Sequence, residues 1–145
     1  MSLVYRMPNY ISFERKTKAD KKVYINLNIY RNLHYRESNL LKIRYKELAW
    51  KELGSDEDVF QSLIGTLYRL RLTFTLVHDD KRKRDRSNAL CIHEKFFCDA
   101  LVECGILMDD TDDYIESTHY YSRPIKKEEG TETFIEIRLE VIESE

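Results

Sequence analysis

Asp85, Asp109, Asp110, Lys95 and the basic run Lys81-Arg82-Lys83-Arg84 are the residues of this chain whose types and spacing suit work on a phosphodiester. Hydrolysis of that bond needs a water made nucleophilic near neutral pH and charge neutralised on the phosphate. Mg²⁺ held by carboxylates supplies both, with Mn²⁺ as a substitute. Asp85 and Asp110 form the natural first pair of metal ligands, with Asp109 beside them. Lys95, a mobile point charge with three donors, suits stabilising the developing charge or protonating the leaving oxygen. Asn88 and Lys95 are seven residues apart, about two helical turns, which puts both on one helix face with Asp99 one turn further. Lys81 to Arg84 would grip the nucleic-acid backbone.

Each of these residues also has a plainer role. Asp85, Ser87 and Asn88 precede a helical pattern, where such side chains accept hydrogen bonds from free backbone amides, and Ser87 is the expected cap. Asp109 to Asp113 reads otherwise as a solvated turn, and Lys95 with Asp99 as an exposed pair at i,i+4. His34, His78, His93 and His119 are scattered, which gives little support to a histidine metal site, and no Gly-rich phosphate loop is present.

The elements that must position these groups follow from hydrophobic period. Lys22 to Tyr30 alternates in steps of two and predicts a strand, while Ser38 to Leu53 repeats apolar residues at three and four and predicts an amphipathic helix ended by Gly54. Leu67 to His78 alternates strongly, with Leu70, Leu72, Phe74 and Leu76 on one side. Asp79 to Asn88 is a polar loop, and Ala89 to Cys104 is a second helix ended by Gly105. Tyr114 to Ser122 and Thr133 to Ile142 then read as two strands that should form a hairpin. The expectation is a two-layer α+β domain, strand-helix-strand-helix-strand-strand, with both helices on one face of the sheet and a polar leader over about residues 1–20.

With 145 residues, 42% of them hydrophobic, and only 4 Gly and 2 Pro, the chain suits one globular domain. The mean hydropathy of −0.58, and the absence of any apolar run near the roughly 18–20 residues that span a bilayer, argue against a membrane protein. The first residues lack the pattern of a signal peptide, so a cytoplasmic protein is expected. Cys91, Cys98 and Cys104 form no even disulfide set and no metal-binding pair, and read as reduced core residues. Residues 1–84 hold 18 Lys and Arg against 10 Asp and Glu, whereas residues 85–145 hold 6 against 16. A basic half beside an acidic half suits a surface for a polyanion next to carboxylates that gather a cation.

Asp85-x-x-Asn88, Lys95-x-x-x-Asp99-Ala100-Leu101, Gly105-Ile106 and Asp109-Asp110 resemble the RusA-like Holliday-junction resolvases, endodeoxyribonucleases common in phages and prophages. Asn32-x-x-Tyr35-Arg36 is similar to a segment that family carries after its first strand. The resemblance covers about residues 22–142, with residues 80–115 as its specific part. It implies a mixed sheet with helices, a homodimer, and Mg²⁺ held by Asp85 and Asp110, with Lys95 as the catalytic lysine. Branched DNA, a four-way junction above all, would be gripped by Lys81, Arg82, Lys83, Arg84 and Asn88, and by Asn32, Tyr35 and Arg36. No small-molecule cofactor is implied. Ser87 stands where the family pattern Asp-x-Asp-Asn has its second aspartate, and the stretch from Asn88 to Lys95 is about one helical turn longer than in the best-known member. The alternative is a junction-binding protein of the same fold in which this change has impaired hydrolysis, and a partner-binding scaffold belongs to a third class.

Overall fold

The computed structural model describes residues 1–79 and 85–143. The strongest period-two pattern forms its central strand. Tyr68–His78 (β4) turns Leu70, Leu72, Phe74 and Leu76 into the core, each no more than 2% exposed, while Arg69, Arg71, Thr73 and Thr75 alternate with them. Arg86–Glu103 (α4) follows β4 and packs Phe97 edge-on to Phe74, at 6.5 Å between ring centres. Ile115–Pro124 (β5) then returns parallel to β4, from Leu70 opposite Ile115 to His78 opposite Pro124, with one register shift between Leu70 and Arg71 that leaves Glu116 out of the strand pairing. A parallel return needs a long crossover, and α4 is that crossover.

Phe134–Glu143 (β6) pairs antiparallel with the other side of β4, and Ser2–Pro8 (β1) pairs antiparallel with β6. The sheet order is β1-β6-β4-β5, so the sheet is mixed and the fold α+β. The hairpin expected between the last two strands does not form, because β4 lies between them. The span from Ile125 to Thr133 allows this: Ile125 N bonds back to His78 O at 2.8 Å, and a 3-10 turn at Lys127–Glu129 follows.

The leader expected over residues 1–20 is also replaced by structure. β1 buries Tyr5 and Met7, and Tyr10–Phe13 (β2) pairs with Lys21–Tyr24 (β3), burying Ile11 and Phe13. These two-residue steps are spaced by Arg6, Asn9 and Ser12, which gives the segment a polar average. The strand expected over residues 22–30 ends at Tyr24, because Asn26 caps a short helix at Leu27–Asn32 (α1), its Oδ1 accepting from Ile29 N at 2.9 Å.

Tyr35–Gly54 (α2) lays Leu41, Tyr45, Ala49 and Leu53 along one stripe at four-residue steps and packs on α4, β1 and β2. Glu57–Ser62 (α3) was not expected from the sequence. α2 and α4 share the apolar side of the sheet, and the other side carries Arg71, Thr73, Thr75, His119, Tyr121 and Arg138. There Arg71 binds Glu116 at 3.0 Å and Glu140 at 3.2 Å, while Arg123 binds Glu129 at 2.6 Å and Glu136 at 3.1 Å. Among the described residues no helix is long and apolar enough to cross a membrane.

Candidate active site and nucleic-acid interface

Asp85 is the residue just before α4, and its extended backbone (φ −80°, ψ 99°) lets its carboxylate accept from Asn88 N at 3.2 Å. Asp85 is therefore the cap, and Ser87, the cap expected from the sequence, lies in the first turn instead. Asn88 reaches outward: its Oδ1 accepts from Asn28 N of α1 at 3.1 Å. Both line a polar cleft of about 490 Å³, together with Asn9, Lys22, Asn26, Asp79 and Glu132. Across the cleft, Thr133 Oγ1 donates to Asp79 Oδ1 at 3.0 Å and ties the end of β4 to the chain entering β6.

Lys95 projects from α4 into solvent with Nζ 5.1 Å from the centre of the Tyr30 ring, a cation held over an aromatic face. Tyr30 also meets Phe96 edge-on at 5.6 Å, so α1 is seated along α4 by both polar and apolar contacts. Just past that seat, Asn32 Nδ2 donates to Asn28 O at 2.8 Å. Tyr35 is 62% exposed with its hydroxyl accepting from Arg36 Nε at 3.3 Å. Asn32 thus ends the helix that seats Asn28 and Tyr30 on α4, and Tyr35 and Arg36 begin α2 three and four residues later. The expected Lys95 to Asp99 pair is not made, because Asp99 binds Lys42 of α2 at 3.4 Å. Lys81, Arg82, Lys83 and Arg84 lie outside the described residues.

Asp109 and Asp110 are exposed in the turn after α4, where Asp109 Oδ1 accepts from Asp110 N at 2.8 Å. That turn is at the far end from Asp85. α4 has 18 residues and so is about 27 Å long. Leu70 N, near the start of β4, bonds Tyr114 O, four residues past Asp110, whereas Asp85 follows the finish of β4. The Cys98 thiol is pushed up to about 12 by burial, with the nearby carboxylates Glu94, Asp110 and Asp99 adding to it. The expected pairing of Asp85 with Asp110 in one metal site is not made within one chain. Among the described residues no group of three or more His, Cys, Asp or Glu is placed to hold a metal ion.

Three further carboxylates stand near these residues, of which the sequence offered Asp79 and Glu94 as reserve ligands and gave no sign of Glu132. Asp79 and Glu132 reach the cleft only because β4 and β6 are neighbours, a pairing without local signal. Glu94 accepts from Tyr120 OH at 2.5 Å, joining α4 to β5, and burial together with this carboxylate raises the phenol. Of the cysteines, Cys98 is buried, Cys91 half-buried, and Cys104 exposed at the end of α4 rather than in the core. A separate apolar cavity of about 560 Å³, lined by Trp50, Phe60, Ile64, Leu67 and Met108, lies at the end of the domain away from Asp85. No family model matches this chain, and no curated protein does.

Proposed function

We propose that this chain is a metal-dependent endonuclease of branched DNA, such as a four-way junction, in the manner of the RusA-like resolvases that its residues 80–115 resemble. The observation that carries the reading is the convergence of two segments far apart in sequence. Asn28 bonds Asn88, Tyr30 lies under Lys95, and the exposed Asn32, Tyr35 and Arg36 follow directly in the chain. Amide and basic side chains suit phosphate oxygens, and an exposed tyrosine suits an unstacked base. The four basic residues Lys81 to Arg84 directly precede Asp85 in the chain, and basic side chains of this kind neutralise phosphates.

The separation of Asp85 from Asp110 sets a condition on this reading. A site that uses both carboxylates must take them from two copies, and a symmetric pair has two such sites, as two symmetric cuts in a junction require. A bound Mg²⁺ would supply an activated water and neutralise phosphate charge. The work of the chain itself is to grip the backbone through Lys81 to Arg84 and Arg36, to orient it against Asn88, and to hold the Lys95 ammonium near the leaving oxygen.

A second reading, binding without cleavage, is favoured by the capping bond that occupies the Asp85 carboxylate and by Ser87 in place of a family aspartate. A gel assay separates the two, using a synthetic four-way junction and a matched duplex, each with Mg²⁺, Mn²⁺ or chelator, beside Asp110→Asn. Metal-dependent symmetric nicks that vanish in the variant support the nuclease. Retarded junction bands without cuts in any metal support the binding protein, and neither result leaves the resemblance describing the fold alone.

A further inference from the structure

Ile64, Leu67 and Met108 are 80%, 79% and 79% exposed, more than any other large apolar side chain among the described residues. All three line the cavity of about 560 Å³ at the end of the domain away from Asp85. Apolar side chains exposed singly are ordinary, but a cluster of them around a concave site marks a surface that a partner covers. The cavity is firmly backed. Trp50 fixes its indole by donating from Nε1 to Ala100 O of α4 at 3.0 Å, and Tyr68 OH donates to Ile106 O, tying β4 to the chain after α4.

The charge around this cavity has one sign. The two stretches that supply most of its lining, residues 52–68 and 103–114, hold nine carboxylates and no lysine, arginine or histidine. Four stand on the first stretch, including Asp56-Glu57-Asp58, and five on the second, four of them between Asp109 and Asp113. Among the described residues only Glu103 of these is in an ion pair, with Lys46 at 2.7 Å. Setting aside Asp109 and Asp110, the candidate metal ligands, leaves the lips just as one-sided.

We infer that this cavity docks a basic amphipathic helix of another protein, with its apolar side chains in the cavity and its lysines and arginines against the carboxylate lips. Charge complementarity selects that occupant. Nucleic acid is repelled by the lips, and a small apolar molecule would leave their charge without a counterpart. A second copy turned about a two-fold axis here would set carboxylates against carboxylates. An added strand has no template, because the one strand residue in the lining, Tyr68, belongs to β4, which is paired on both sides. A helix presents an apolar stripe flanked by bases, the pattern this surface complements, and the unbranched Met108 adapts to the side chains it receives. The inference does not rest on the nuclease reading, and its test leaves Asp85, Asp109 and Asp110 intact.

Trp50 is the only tryptophan of the chain and lines the cavity, so its fluorescence reads the site directly. The probe is a synthetic helix of about 15 residues built from leucine and lysine, apolar on one face, titrated into the full chain at about 0.15 M salt. A saturable shift of Trp50 emission to shorter wavelength is expected, with no such shift from the same peptide carrying serine for leucine or glutamate for lysine. Ile64→Ser with Met108→Ser should weaken binding by about tenfold or more, with circular dichroism unchanged. Glu57→Gln with Asp112→Asn and Asp113→Asn should weaken it several-fold and flatten its salt dependence. Cys104, the exposed one of the three cysteines, also lines the cavity, so the bound peptide should slow its alkylation in the wild type, a readout that stands should a variant fail to fold. Lack of a Trp50 response, an equal response to either control peptide, or unprotected Cys104 overturns the inference. So does a dimer of the chain alone that Ile64→Ser with Met108→Ser dissociates, because the occupant is then a second copy.

Discussion

His93 is a fully buried titratable group, and lowering the pH from 7 to 5 probes it directly. His93 is fully buried, with Nδ1 2.8 Å from Tyr45 Oη and no hydrogen-bond partner for Nε2 among the described residues. Burial drops its pKa from 6.5 to about 3, so the folded ring stays neutral where the unfolded ring takes up a proton. A group whose folded pKa is depressed loses its contribution as pH falls below the unfolded value, here from 6.5 downward to about 3. One proton bound only by the unfolded state costs close to 1.4 kcal/mol per pH unit in that window. Between pH 7 and pH 5 the loss is about 2 kcal/mol, or roughly 4–8 °C in melting temperature for a chain of this size. Glu116 and Glu129, held down to about 2 by their arginine partners, lose their contributions only below about 4.5 and leave the window clear. The comparison is with Tyr45→Phe/His93→Leu, which replaces both polar partners with apolar groups and should stand close to wild type at pH 7. Chemical denaturation of both proteins at pH 7, 6 and 5 measures the difference. Equal losses in the two proteins would refute burial of a neutral histidine as the source.

Four other outcomes follow from specific residues. Asp85→Asn keeps a good capping residue and should leave the melting temperature within about a degree while abolishing junction cutting, whereas Asp85→Ala should also cost about 1 kcal/mol of stability; cutting by the asparagine variant would reduce Asp85 to a cap. Gly105 closes α4 at φ +84° with open space around it, so Gly105→Ala meets backbone strain alone and should cost roughly 1–2 kcal/mol in a denaturation experiment. Replacing Lys81, Arg82, Lys83 and Arg84 with serine should weaken junction and duplex binding alike, and should flatten the plot of log affinity against log salt by about 0.9 for each phosphate that is no longer neutralised. Arg123→Met removes the two short bonds to Glu129, at 2.6 and 2.7 Å, and should return that carboxyl from about 2 toward 4.5 in a carboxyl-carbon NMR titration.

What the sequence determined by itself were elements whose burial is periodic and strong. Leu70 to Leu76 alternates cleanly enough to define β4, and the apolar stripes from Leu90 to Leu101 define α4, because each has a face that water must not reach. The same alternation at Asn26 to Ile29 misled, since one capping bond from Asn26 outweighed it. β1 was hidden because its two buried residues, Tyr5 and Met7, sit among polar neighbours, and only β6 shows that they face a core.

Strand order is where local sequence stops deciding. β5 and β6 are close in the chain, yet β4 separates them, because β4 is hydrophobic enough to need partners on both sides and α4 is long enough to carry β5 back parallel to it. The candidate site divides in the same way. Asn88 and Lys95 share one helix, so their common face was legible from spacing alone. Their meeting with Asn28 and Tyr30, the entry of Asp79 and Glu132 into the cleft, and the distance between Asp85 and Asp110 were decided by tertiary structure. Sequence spacing specifies direction around a helix, whereas distance across a domain depends on which strands the helix joins and at which end each one begins.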